Sequence, residues 1–353
     1  LDLITTSQRA SAIDFMTYGD FLKAAQQQDI PTLNIDGSYW GGVLQAKDID
    51  MESFATKLST NRTLTSLTLN RTKHTTAAAK QLAEALLTNN TLTSLALREN
   101  KIQDGGVIAL AATLKVNTTL KSLEISAAGL SAAGIKELSF ALQLNRSLEH
   151  LDLRGNFEGV TDAGVKSLAA VLGNTSLTSL NLSHSNVGPA GITYLAEALA
   201  TNRTLKTLLL QDLRKVAFVS GKGLDSFAAL CAALVRNATL TSIDLSLVRL
   251  EKEAVQFLEA VLPMNITLLS LTVGDASPGK GFRELMSKVK QPRQKIENFP
   301  AAELPPAIAA WLDMWTTAAT AAAAAGVAVS ASPAGPKKRK RMTEADRLRA
   351  AME

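Results

Sequence analysis

The chain has 353 residues, 46% of them apolar and 20% charged, and one cysteine, Cys231. That is ample material for a continuous core, and a single cysteine excludes a disulfide framework or a cysteine-rich metal site. The net charge of +5 is unevenly placed: residues 1–275 carry 24 basic and 25 acidic side chains, residues 276–353 carry 13 and 7. A neutral body is no phosphate-binding surface, so attraction to nucleic acid would have to come from the basic tail.

Residues 12–22 read as a capping helix. Ile30, Leu33 and Ile35, followed by Trp40, form a degenerate first repeat. The phrase Asn-x-Thr-Leu-x-x-Leu-x-Leu then sets in at Asn61, Asn89 and Asn117, and further copies start at Leu148, Leu177, Leu205, Leu240 and Leu268. Intervals between first leucines, from Leu64 onward, are 28, 28, 28, 29, 28, 35 and 28 residues. Such a period means stacked supersecondary units, each unable to bury its apolar face alone.

Within a unit, Leu92, Leu95 and Leu97 alternate as in a strand. A helical stretch follows with leucines four apart: Leu82 and Leu86, Leu110 and Leu114, Leu138 and Leu142, Leu168 and Leu172, Leu195 and Leu199, Leu230 and Leu234, Leu258 and Leu262. Leucines at that spacing share one helix face, which packs inward. Ala78, Gly106, Gly134, Gly164 and Gly191 stand where the chain enters each helix and permit close approach. The asparagine before Thr-Leu is expected to take the left-handed conformation of a helix cap. Strand then helix, repeated, predicts a parallel sheet lining the inside of a curve with helices outside.

Two units depart from the pattern. The loop after Asn156 is two residues longer (Phe157 onward), and the unit from Leu205 carries seven extra residues within 212–222. Residues 282–289 predict a last helix, and Trp311 and Trp315 are expected to cover the end of the stack. From Thr316 the sequence is an Ala-rich, helix-prone linker with no membrane span expected. It leads to Lys337, Lys338, Arg339, Lys340 and Arg341, a nuclear-import candidate or a loose anionic contact. The expected divisions are 1–60, cap and first repeat; 61–290, repeats; 291–315, C-terminal cap; 316–353, linker and tail.

Leu92, Leu95, Leu97, Asn100, Ile102 and Gly106 match in order the pattern of ribonuclease-inhibitor-like leucine-rich repeats, which the unit resembles over roughly residues 28–290. That resemblance implies an α/β fold, a right-handed solenoid or horseshoe of about eight repeats plus a degenerate N-terminal cap. The class includes ribonuclease inhibitors, Ran GTPase-activating proteins, tropomodulins and the sensor ends of NOD-like receptors. The Asn-x-Thr-Leu phrasing is most similar to the last group, without its nucleotide-binding module.

No chemistry-bearing constellation survives inspection. Residues 274–281 imitate a phosphate-binding loop, but Gly281 stands where Ser or Thr should hold magnesium, and Ser220 to Gly223 fails likewise. His74, His150 and His184 fall in different repeats, with no third metal ligand at hand. Cys231 sits beside core leucines as packing. The sequons at Asn61, Asn70, Asn117, Asn145, Asn202 and Asn237 read as by-products of the repeat. Neither enzymatic activity, cofactor, metal nor small-molecule substrate is expected.

Strand register places Arg98, Glu124, His150, Asp152, Arg154, Asn181, Leu209 and Asp244 on the concave face as candidate protein contacts, in part paired with one another. Asp212, Arg214, Lys215, Phe218 and Lys222 are candidate loop contacts. The leading expectation is a non-catalytic scaffold within a larger complex, inside the cell with the nucleus favoured. A GTPase activator of the Ran type, and an RNA-associated component tethered weakly by its tail, stand as alternatives.

Overall fold

A computed structural model describes residues 31–37, 51–218, 220–273 and 304–324. The N-terminal cap, Trp40, the loop at 274–281, the helix at 282–289 and the basic run at 337–341 lie outside them. In chain order the elements are β1 (Thr32–Asp36), α1 (Met51–Thr60), β2 (Ser66–Asn70), α2 (Thr76–Leu86), β3 (Ser94–Ala96), α3 (Gln103–Leu114), β4 (Ser122–Glu124) and α4 (Ala132–Leu144). They continue with β5 (His150–Asp152), α5 (Asp162–Leu172), β6 (Ser179–Asn181), α6 (Pro189–Thr201), β7 (Thr207–Leu209), α7 (Gly221–Arg236), β8 (Ser242–Leu245), α8 (Lys252–Val261), β9 (Ser270–Val273) and α9 (Pro306–Ala324). The strands form one parallel sheet in sequence order. Its register steps one repeat at a time, Ser66 opposite Ser94, Ser94 opposite Ser122, Ser122 opposite His150. All the helix leucines paired above are buried, together with the strand leucines that face them.

The repeat asparagines do something other than expected. Asn145, Asn202 and Asn237 close their helices in extended conformation, with φ of −71°, −64° and −78°. Their value lies in the side chain. Asn145 Oδ1 accepts from the N–H groups of Ser147 (2.9 Å) and Leu148 (2.7 Å), while Nδ2 donates to Leu114 O (2.7 Å) and Asn117 O (3.0 Å) of the preceding unit. Asn89, Asn117, Asn202, Asn237 and Asn265 repeat this bridge to Leu58, Leu86, Leu172, Leu199 and Leu234. One amide therefore turns the chain into the strand and ties each helix end to the next. The sequon nitrogens of Asn117, Asn145, Asn202 and Asn237 are consumed in these bonds. One rung differs: Asn174 is exposed, and the hydroxyls of Thr175 and Ser176 serve Leu172 O and Leu148 O instead.

Left-handed backbone does occur, but after the strands. Arg71, Glu99, Ala127, Gly155, His184, Asp212 and Leu247 have φ between +47° and +73°. From Arg71 to Asp212 each donates its N–H to a carbonyl of the following unit, prolonging the ladder past the strand ends. Only one is glycine, so the others hold a conformation that costs about 1 kcal/mol or more each, offset by that bond.

Trp311 and Trp315 of α9 are buried, as in a cover, with ring centroids 5.4 Å apart. Among the described elements the helix lies chiefly against α7, on the helical layer. It continues to Ala324, into the Ala-rich stretch expected to be helix-prone. The outward positions of α7 explain the placement: Ala228 and Ala232 are small, apolar and fully buried.

His74 occupies the inward position that Ile102, Leu130, Val187 and Leu250 hold in other units, and it is 1% exposed. Neither ring nitrogen has a hydrogen-bond partner among the described residues, and burial pushes its pKa down to about 4. The folded chain therefore holds His74 neutral, whereas the unfolded chain takes up the proton near pH 6.5. Stability is complete above pH 6.5 and falls as pH drops toward 4, by about 3 kcal/mol at most. His74→Leu is expected to flatten that part of the pH profile in urea titrations between pH 7 and 4.5. An unchanged slope would assign the acid sensitivity to other groups.

Candidate protein-interaction surface

Alternate strand residues leave the core on the open face of the sheet. One row carries Ser66, Ser94, Ser122, His150, Ser179, Thr207 and Ser242, and the next carries Thr68, Ala96, Glu124, Asp152, Asn181, Leu209 and Asp244. The loop just beyond adds Arg98 and Arg154. Charge here is engaged sideways. Arg98 reaches Glu124 (2.6 Å) and Asp152 (3.7 Å), and Arg71 reaches Asp36 (3.5 Å) and Glu99 (2.6 Å). The Arg71 hydrogen bond holds the Glu99 carboxyl below the usual carboxylate range. These pairs are half exposed, so they set orientation more than they stabilise the fold.

Three candidate contacts have a prior structural duty. Asp152, Asn181 and Asp244 each accept, through Oδ1, the N–H two residues on, from Arg154 (2.8 Å), Ser183 (3.0 Å) and Ser246 (2.8 Å). Such Asx turns steer the chain out of the strand. Asp244 also accepts from Gln211. His150 and Arg154 remain exposed, and Leu209 is half-buried on the same face.

The two longer loops, read separately in the sequence, meet. The Arg214 guanidinium lies 4.3 Å from the Phe157 ring centroid, a cation–π contact. Between them Ser185 O accepts from Arg214 N (3.1 Å), and Asn186 Nδ2 donates to Phe157 O (2.9 Å). His184 Nδ1 lies 2.9 Å from Asp212 Oδ2, with Arg214 Nε at 3.9 Å. Two insertions in units two apart thus lace over the unit between them and raise one edge of the sheet face. Both depart from the repeat at the same place in their units, which was the available signal that they would touch.

Arg214, Lys215 and Lys222 are exposed on this rim and Asp212 is half-buried in its ion cluster. Phe218 is a correction: it is fully buried, stacked on Phe227 at 4.4 Å between centroids, with its N–H donated to Arg249 O (2.8 Å). The extra residues rejoin the stack early, and Phe218 pairs with Leu250 in the apolar interior. Phe218 is thus no loop contact.

Among the described residues no group of His, Cys, Asp and Glu could hold a metal ion. Cys231 is buried, and burial pushes its thiol pKa far up. No helix among the described residues is long and apolar enough to cross a membrane.

A leucine-rich-repeat family model matches residues 88–111, 144–169 and 173–196. No curated protein sequence matches the chain. Among solved structures, actin-binding site 2 of leiomodin-1 is 21% identical over 41% of this chain and 83% of that one, with a TM-score of 0.35. A yeast Rad7–Elc1 complex chain is 18% identical over 67% and 68%, with a TM-score of 0.40. The C-terminal domain of tropomodulin from Caenorhabditis elegans is 15% identical over 53% and 90%, with a TM-score of 0.35. With its matched repeats, its single parallel sheet in sequence order and its outer layer of helices, the chain carries leucine-rich repeats and has the α/β solenoid fold that they build.

Proposed function

We propose that the chain is a non-catalytic scaffold that binds a protein partner along the open sheet face and the rim beside it. The observation that carries this reading is the joining of the two insertions through Arg214 and Phe157. Among the described residues these two loops depart furthest from the regular unit, and loops carried on a rigid scaffold are where partner contacts concentrate. The rows of serines leave room for side chains of the partner, while exposed Arg154, His150 and Arg214 supply polar anchors. The partner is a folded protein or a loop of one, because both charge signs line the floor.

The test is native capture with the full chain, read quantitatively for whatever protein co-purifies with it. Arg154→Glu and Arg214→Glu are each expected to weaken capture about tenfold, the effect of losing one interface arginine. Glu259→Lys, exposed on α8 of the helical layer, is expected to change nothing. Capture of the chain alone, or equal capture by all variants, would remove the proposal.

A further inference from the structure

The helical face of a repeat solenoid is ordinarily polar, and here part of it is not. Val116 is 65% exposed, Leu144 55%, Phe140 54% and Ile108 45%, with Leu87 beside them at the end of α2. Val116 and Leu144 are equivalent residues of neighbouring units, and Phe140 and Leu144 stand one turn apart on α4. The side chains therefore form one patch across α2, α3 and α4. Polar residues bound it on both sides: Lys80, Glu84 and Thr88 before it, Lys166 and Asn174 after it. Its exposed cations, Lys80, Lys115, Lys136 and Lys166, outnumber its exposed anions, Glu84 and Glu137. Lys115 lies over the Phe140 ring at 5.2 Å.

The chain shows what this layer accepts. On α7 the positions equivalent to Lys136 and Phe140 are Ala228 and Ala232, and there α9 lies down with Ile308, Trp311 and Trp315 buried. Apolar outward positions on this layer are thus covered by an amphipathic helix, and those of α3 and α4 have no such cover among the described residues.

We propose that the patch over α2, α3 and α4 docks an amphipathic helix of a protein partner, its apolar side flanked by carboxylates. The lysine border selects the acidic flanks, and Phe140 and Leu144 supply the apolar anchor. The surface is separate from the sheet face, so the scaffold would hold two partners at once.

The experiment uses the full chain and a synthetic helical peptide with apolar residues at i, i+3, i+4 and i+7 and glutamates on either side, titrated by fluorescence anisotropy. The expected result is saturable binding that weakens about tenfold or more in Phe140→Glu and for a lysine-flanked version of the peptide. Lys136→Glu should weaken the first peptide and strengthen the second. Because Phe140 and Lys136 are exposed, both variants should keep the thermal midpoint of the parent. No binding, or equal binding of both peptides, overturns the proposal. So does a concentration-dependent dimer lost in Phe140→Glu, which makes a second copy the occupant, or co-sedimentation with phosphatidylserine vesicles lost in Phe140→Glu, which makes it a membrane. Arg154→Glu should leave peptide binding intact, which separates this surface from the sheet face.

Discussion

Asn145→Ala is expected to destabilise the chain by about 3–5 kcal/mol, read as a lower urea midpoint, although no apolar contact is lost. The buried amide serves two N–H groups of its own turn and two carbonyls of the preceding unit. Alanine leaves the two N–H groups and Leu114 O unserved, and Asn117 O with the Ser147 hydroxyl at 3.3 Å, in a site that is 4% exposed, where water is poorly placed to replace the amide. Asn145→Asp separates the two halves of the role. The carboxylate still accepts from Ser147 and Leu148, but it offers Leu114 O and Asn117 O no proton and repels them. Asp should therefore cost nearly as much as Ala at neutral pH. A loss below about 1 kcal/mol for both variants would mean that the bridge is incidental.

Gly164→Ala is the second large effect, about 2–4 kcal/mol, by a different cause. A Cβ there would stand 2.0 Å from Gly159 O, a backbone atom of the longer loop. Either α5 or that loop must move. The same loop seats Phe157 under Arg214, so capture through the rim should weaken as well. Gly173→Ala is the control: nothing lies within 4 Å of its Cβ position, and its φ of −64° suits any residue. It should be neutral or stabilise by up to about 1 kcal/mol. If Gly164→Ala melts with Gly173→Ala, the close approach is not a constraint.

Much of this was legible because the repeat enforces itself. Intervals of 28 residues fixed the register, so Ser94, Ser122 and His150 stand side by side as the alternation predicts. What escaped was everything decided between units. The asparagine of the phrase looked like a local cap, because a sequence shows the turn it sits in and not the carbonyl about 31 residues earlier that it serves, as from Asn145 back to Leu114. Phe218 looked like loop because it stands within an insertion, while the insertion's own return to the stack made it core. Asp152, Asn181 and Asp244 read as open contacts although the side-chain Oδ1 of each accepts from a backbone N–H two residues on. Arg214 and Phe157 are far apart in sequence, and only the stacking of units brings them together. The left-handed residues after each strand carried no glycine signal, since Arg71, Glu99 and Ala127 adopt that backbone for the ladder bond it gives.

The exposed Asn174 has a mechanical meaning. A stack whose cohesion is a sum of nearest-neighbour joints parts at the joint with the fewest fasteners. The helix-end amide that Asn145 supplies between α3 and α4, and Asn202 between α5 and α6, is missing between α4 and α5, where Arg146 Nη1 reaches Asn174 O instead. Pulled from its ends, the chain should open its helical layer there first, between a leading block that ends with α4 and a trailing block that begins with β5. The rim lies wholly in the trailing block, since Phe157 and Arg214 both follow that seam. A partner on the rim would stiffen the trailing block and leave the seam free to yield, as a fuse does.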